Sequence, residues 1–328
     1  MSSNSPADPQ NPYPAGGPSF SYPEFIAPPL SIEPSRREWI IAALLFAATF
    51  VSTTFAGVLY ARDDVSFLTM IFVAIARPSI LLYGLPFSFT FIMILLAHEL
   101  GHFFACRYYG IRCTPPYFLP FPISIAGTLG AFIRIKSPFQ NKRALFDVGV
   151  AGPLAGFAFV VPALFIGISH SQLIPKGSVQ GGYSFGEPII FRLVGKMVLD
   201  YSPERQDMFA HPIAMAAWFG LLATSLNLFP IWQLDGGHIA YAILGRDLQK
   251  RVSIVGAIGL IAVSFAGWPI PSYLVFGGLL LIFGLRNKFF HPATLCDAEE
   301  IGPRRIIIGM LALLILVLCF TAVPISIT

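Results

Sequence analysis

Two histidines four residues apart, with a glutamate directly after the first, occur in Ala97-His98-Glu99-Leu100-Gly101-His102-Phe103. On an α-helix this spacing puts both imidazoles on one face, one turn above the other, so two ring nitrogens can point at a single ion. Zinc accepts two imidazoles, a third N or O ligand, and a water whose pKa it lowers towards neutrality. Glu99, beside the first histidine, is placed to take that water's proton as a general base. The residues from Leu85 to Ala97 that lead into the motif are mostly apolar. Three ionisable groups in such a run carry a desolvation cost that only a purpose repays.

The third ligand must come from elsewhere in the chain. Asn227-Leu228-Phe229-Pro230-Ile231-Trp232-Gln233-Leu234-Asp235-Gly236-Gly237-His238 offers two donors, Asp235 and His238. The plainer role for Asp235 is a helix N-cap, and for His238 a polar residue at headgroup level. Zinc chemistry accepts either, and spacing leaves both open. Cys106 lies one turn past His102 and reads as a small packed hydrophobe rather than a ligand. His170, His211 and His291 fall at span ends or in loops and read as water-exposed.

The elements that must carry these groups are set by composition. The 328 residues are 55% hydrophobic and only 12% charged, with 31 Phe, where soluble chains average about 25% charged. So few charges cannot cover a water-facing globule, which excludes a soluble enzyme and a disordered chain. The net charge of +4 is too small to argue for nucleic acid. The four cysteines show neither zinc-ribbon nor disulfide spacing. Residues 1–34, rich in Pro, Ser, Asn and Gly, read as a disordered tail ahead of a transmembrane domain over 35–328.

Apolar runs long enough to cross about 30 Å of hydrocarbon fall near 39–60, 85–106, 149–169, 211–229 and 304–323. The block 252–285 reads as two further spans joined at Trp268-Pro269-Ile270-Pro271. The segment 65–83 has Arg77-Pro78 at its middle and reads as re-entrant, because an unpaired Arg in lipid is costly. With the N-terminus inside, most of the 21 Lys and Arg fall on the inner side, among them Arg36, Arg107, Lys142 and Arg305. That topology brings Asp235 to the same inner half of the bilayer as His98 and His102. The fold expected is all-α: a polytopic membrane protein of about seven transmembrane helices, with a short re-entrant segment and a small β-like loop element. The β-like element is Gly127 to Lys136, where Ile133 and Ile135 alternate with Arg134 and Lys136 as in a strand. An extended substrate can add to such an edge and satisfy its backbone groups there. Gly149, Gly152 and Gly156, spaced by three and four, read as the face on which the third span packs against the metal-bearing helices.

His98-Glu99-Leu100-Gly101-His102 followed by Asn227-x-x-Pro230-x-x-x-x-Asp235-Gly236 resembles the site-2 protease family of intramembrane zinc metalloproteases. Leu129-Gly130-Ala131-Phe132-Ile133-Arg134 and Asp147-Val148-Gly149-Val150-Ala151-Gly152-Pro153 resemble its bacterial and plastid branch. The resemblance runs from about residue 80 to 323. It implies zinc held by His98, His102 and Asp235, with Glu99 as general base, and so raises Asp235 above His238. It implies that Asn227 orients the substrate or stabilises the oxyanion, and that the segment bearing Gly130 and Ile133 presents the substrate.

The function expected is hydrolysis of peptide bonds in or near transmembrane segments of membrane-protein substrates. The partners are therefore a substrate with a transmembrane helix and the lipid bilayer, with no nucleic acid and the oligomeric state open. The location expected is integral and multi-pass, in a bacterial inner membrane first and an organelle membrane second. Two other classes compete. A metal-ion transporter would show internal repeats with matching interrupted helices, and only one His-Glu-x-x-His is present. A catalytically silent membrane-protein binder of the same fold would have no use for an intact Glu99.

Overall fold

The computed structural model describes residues 33–62, 69–178, 183–267, 272–286, 289 and 291–327. Most of the tail expected over 1–34 and the break expected at 268–271 lie outside the described residues. Helix α1 (Arg36–Val58) opens on a capping box in which Ser35 and Glu38 satisfy each other's backbone amides. Helix α2 (Met70–Ala76) stops at Arg77, because Pro78 cannot continue it. A 3-10 turn over Pro78–Gly84 then leads into α3 (Leu85–Tyr108). The described part of the 65–83 segment is thus a short helix and a tight turn, with Arg77 exposed between them.

A hairpin of β1 (Tyr117–Pro120) and β2 (Thr128–Phe132) separates α3 from α4 (Lys142–Ser169). Helix α4 begins seven residues before its apolar run, where the Asn141 side chain accepts from the Ala144 amide. There follow β3 (Gln172–Pro175), β4 (Tyr183–Phe185), α5 (Ile189–Leu199) and β5 (Gln206–Phe209). The chain continues through α6 (Pro212–Leu228), α7 (Asp235–Leu244), α8 (Arg246–Ser264), α9 (Leu274–Arg286), α10 (Pro303–Cys319) and β6 (Ile325–Ile327). Strand β1 pairs with β2, β3 with β5, and β4 with β6, all antiparallel. The small β element expected at one hairpin is therefore joined by two further two-stranded ribbons.

Among the described residues, four helical stretches are long and apolar enough to cross a membrane: Arg36–Val58, Pro78–Tyr108, Lys142–Ser169 and Arg246–Gly267. The seven-span count is not confirmed. Helix α6 has 17 residues, α9 has 13 and α10 has 17, or about 20–26 Å at 1.5 Å per residue. Their apolar runs outlast their helices: α6 stops before Phe229-Pro230, and α10 gives way to extended chain at Phe320.

The core lies where α3, α4 and α6 meet, around Phe87, Phe91, Leu164, Trp218 and Leu221. Outside it, Leu44, Phe72, Phe104, Val255, Ile282 and Leu313 are exposed, a surface suited to hydrocarbon and not to water. The hairpin is tied to α1: Ser52 Oγ donates to the Gly127 carbonyl at 2.7 Å and Tyr60 OH to the Ile125 carbonyl at 2.9 Å. Gly127 takes a φ of 75° at this turn, which glycine adopts without steric cost. Residues 131–140 then alternate between half-buried and exposed, with Ile133 and Ile135 packed inward on Phe103, Cys106 and Val148.

Candidate metal centre

His98, Glu99 and His102 all lie on α3 and all are buried. Helix α4 can pass directly over them because its facing positions carry no side chain. A Cβ at Gly152 would fall on His102 Nε2 and lie 2.5 Å from Cδ2, and one at Gly156 would lie 3.1 Å from His98 Cβ. Gly101, between the two histidines, meets the α4 backbone in the same way at Ala151 and Gly152. The glycine spacing on the third span therefore packs it against the histidine helix, as small residues do in lipid.

The Val148 carbonyl on α4 lies 2.7 Å from His102 Nδ1. A carbonyl only accepts, so Nδ1 carries the proton and Nε2 presents a lone pair. Such a bond on the distal nitrogen fixes the orientation of a metal-ligating imidazole. Helix α7 begins at Asp235, whose carboxylate meets both rings: Oδ2 lies 3.2 Å from His98 Nε2 and Oδ1 lies 3.3 Å from His102 Nε2. The two Nε2 atoms are 3.1 Å apart. Asp235 is the first residue of α7 and Leu234 its N-cap, so the plainer capping role does not apply.

These separations fit a metal. Ligand bonds of 2.0–2.1 Å in a tetrahedron put neighbouring donors about 3.3 Å apart. The donor set of two imidazoles and a carboxylate is one that zinc accepts. Asp235 Oδ2 is buried without a hydrogen-bond partner, a cost that a bound cation would remove. Among the described residues, His98, His102 and Asp235 form the one group of three such side chains with mutually close donor atoms.

The other predicted residues distribute as follows. Asn227, on the last turn of α6, places Nδ2 3.2 Å from His98 Nε2, so it faces the centre. Ile133 lies just past β2, its side chain packed against the cluster of Phe103, Cys106 and Val148. Gly130 lies within β2 at a φ of 102°, with open space where a side chain would be. Strand β2 pairs with β1 on one edge and, among the described residues, with no other strand. Cys106 is fully buried in an apolar cluster, as expected, and outside the donor group.

His238 stands outside that group too; Asp235 is the residue brought to the imidazoles. His238 instead lies 2.6 Å through Nδ1 from His291 Nε2. His291 is buried and in turn donates from Nδ1 to the Pro292 carbonyl at 2.7 Å. The reading of His291 as water-exposed is therefore corrected: it pairs with a histidine on α7, and burial pushes its pKa down to about 4. Sequence reasoning also missed Val148, and a backbone carbonyl leaves no residue-type signal to find.

The description "Peptidase family M50" matches residues 86–266, more than half of the chain and inclusive of all three donor residues. Of the curated relatives, the "Probable zinc metalloprotease EGY2, chloroplastic" of Oryza sativa subsp. indica is 34% identical over 202 residues, covering 61% of this chain and 36% of the relative. The protein of the same name from Arabidopsis thaliana is 29% identical over 310 residues, covering 92% of this chain and 53% of the relative. "Probable zinc metalloprotease EGY1, chloroplastic" of Arabidopsis thaliana is 28% identical over 245 residues, 72% of this chain and 42% of the relative. The chain thus spans about half, or less, of the length of these relatives. Their names place them in chloroplasts and give no support to a bacterial inner membrane. No solved structure matches the chain. A family model that covers the helix of the two histidines, the glycine face of α4 and the turn into Asp235 settles the kinship: the chain belongs to peptidase family M50.

Proposed function

We propose that the chain is an intramembrane zinc endopeptidase that hydrolyses peptide bonds in or near transmembrane segments of membrane-protein substrates. The observation that carries this reading is the trio of buried His98 and His102 and half-buried Asp235, set at tetrahedral spacing inside a protein whose outer surface is apolar. These three residues would hold the zinc. When bound, zinc supplies a Lewis acid and brings a water's pKa near neutrality.

The remaining chemistry falls to side chains. Glu99, one residue from His98 on α3, takes the proton of the attacking water and returns it to the leaving amine. Asn227 Nδ2 donates to the carbonyl oxygen of the scissile bond as charge develops there, the role of an oxyanion-hole donor. The substrate must be extended at the cleavage point, because a helical carbonyl is already hydrogen-bonded. The edge of β2 that β1 leaves unpaired supplies backbone partners for such a strand past Gly130, whose own amide and carbonyl are held by the Thr128 hydroxyl. The open space at Gly130 lets the substrate approach the strand closely. The protein is accordingly read as multi-pass, with α6, α9 and α10 as shorter membrane elements beside the four long helices.

The test is Glu99→Gln with a co-expressed single-pass membrane substrate. Cleavage should fall by about 10²–10⁴-fold while metal content is unchanged. Cleavage persisting at the unmodified rate would remove Glu99 as general base and this mechanism with it.

A further inference from the structure

The third residue of the centre is delivered by a turn, and the turn is built from strained parts. Between Asn227 at the end of α6 and Asp235 at the start of α7, Trp232 has a φ of 46°, a left-handed conformation that residues with a Cβ adopt at a cost. Strain of this kind persists where the surroundings over-determine it. Here the surroundings are one face of α8.

Ser253 Oγ accepts from the Trp232 amide at 3.0 Å and donates to the Pro230 carbonyl at 3.1 Å. Gln249, one turn earlier on α8, donates from Nε2 to Ser253 Oγ at 2.8 Å and reaches the Trp232 carbonyl at 3.4 Å. Ser253 thereby uses its one proton and both lone pairs, and both side chains are fully buried. On the next turn, a Cβ at Gly256 would lie 3.1 Å from Ile231 Cγ1, so the fully buried Ile231 rests on the same stripe. Positions 249, 253 and 256 share one helix face, and three consecutive residues of the turn, Pro230 to Trp232, are held by it. The opposite side is closed by the first turn of α7, where a Cβ at Gly237 would lie 2.9 Å from the Ile231 carbonyl oxygen.

None of these contacts involves His98, His102 or the Asp235 carboxylate. Removing the Ser253 hydroxyl leaves the half-buried Trp232 amide and Pro230 carbonyl without this partner, and leaves Gln249 Nε2 with only its long contact to the Trp232 carbonyl. The turn must then move to satisfy them, and Asp235 begins three residues later. We propose that Gln249 and Ser253 are positioning residues for Asp235: a buried polar clamp on α8 that fixes residues 230–232 so that the carboxylate meets both imidazoles. This inference rests on the metal-centre reading above. It gives α8, which contributes no ligand, a part in the site.

The experiment uses the full chain purified in detergent and Co²⁺ as the probe. Affinity is measured by competition with a chelating dye, and ligand geometry by the visible d–d absorption. Ser253→Ala and Gln249→Leu should each lower Co²⁺ affinity by about 10–100-fold, the range for residues that orient metal ligands, and should alter the d–d band. Ser264→Ala is the matched control: Ser264 is buried on the same helix and donates to the Leu260 carbonyl at 3.0 Å. It should keep wild-type affinity and spectrum whatever it does to the melting temperature. Wild-type affinity and spectrum in both Ser253→Ala and Gln249→Leu would overturn the clamp while leaving the metal centre standing. An equal loss in Ser264→Ala would also overturn it, as general destabilisation. Failure of the wild-type chain to bind Co²⁺ would overturn the metal centre and the clamp together. Should Ser253→Ala not fold, Gln249→Leu against Ser264→Ala decides by the same criteria.

Discussion

Adding one methyl group at Gly152 should cost the protein its metal without weakening the helix that bears it. The Cβ of Gly152→Ala would fall on His102 Nε2 itself and lie 2.5 Å from Cδ2, where ordinary contact is 3.4–4 Å. Either the imidazole swings away or α4 recedes, by more than about 1 Å in both cases. Metal–ligand distances tolerate about 0.2 Å, and the ring's orientation also depends on the Val148 carbonyl of the same helix. Alanine itself favours the helix over glycine by about 0.5–1 kcal/mol, so lost helicity cannot explain the effect. Gly156→Ala is the graded comparison. Its Cβ would lie 3.1 Å from His98 Cβ and 3.3 Å from Nδ1, which a shift of a few tenths of an ångström relieves. Zinc affinity, read by chelator competition on detergent-purified protein, should fall by about 100-fold or more in Gly152→Ala and by less than about 10-fold in Gly156→Ala. Wild-type affinity in Gly152→Ala, or a larger loss in Gly156→Ala, would refute the role given to this glycine face.

Asn227→Leu should keep zinc bound yet lower single-turnover cleavage by about 10²–10³-fold, the loss expected for one oxyanion donor; loss of zinc instead would make Asn227 a determinant of metal binding. His238→Ala should leave zinc content unchanged and lower the melting temperature, because His238 holds the buried His291. Acid should destabilise the protein through His291. Burial lowers its pKa from 6.5 to about 4, so between those values the unfolded chain binds a proton that the folded chain does not. Stability then falls as pH drops from about 6.5 to 4, by at most about 1.4 kcal/mol per unit from this group. In His291→Asn the slope of melting temperature against pH over that window should flatten; an unchanged slope would remove His291 as its source.

The parts of the site that lie within one helical turn are legible in the sequence, because the spacing of His98, Glu99 and His102 fixes their common face once the segment is helical. The third donor is harder. Asp235 and His238 sit three residues apart on one helix and present similar chemistry, and only the tertiary placement of α7 separates them. The burial of His291 is long-range in the same way: its partner His238 belongs to another element, and no local pattern announces the pairing. Helix positions follow the apolar runs, but helix ends do not. The Asn141 cap starts α4 before its apolar stretch, and Phe229-Pro230 ends α6 near the end of its own. Hydropathy reports where the chain is apolar, whereas caps and prolines decide where it is helical. The ribbon of β3 with β5 was invisible for a further reason, since strands of four residues are too short to show a period.

The most direct test is the zinc content of the purified chain, measured by elemental analysis beside that of Asp235→Ala and Glu99→Gln. About one zinc per chain is expected for the wild type and for Glu99→Gln, with a large loss in Asp235→Ala. A wild-type chain without zinc, or an Asp235→Ala variant that retains it in full, would contradict a centre built from His98, His102 and Asp235.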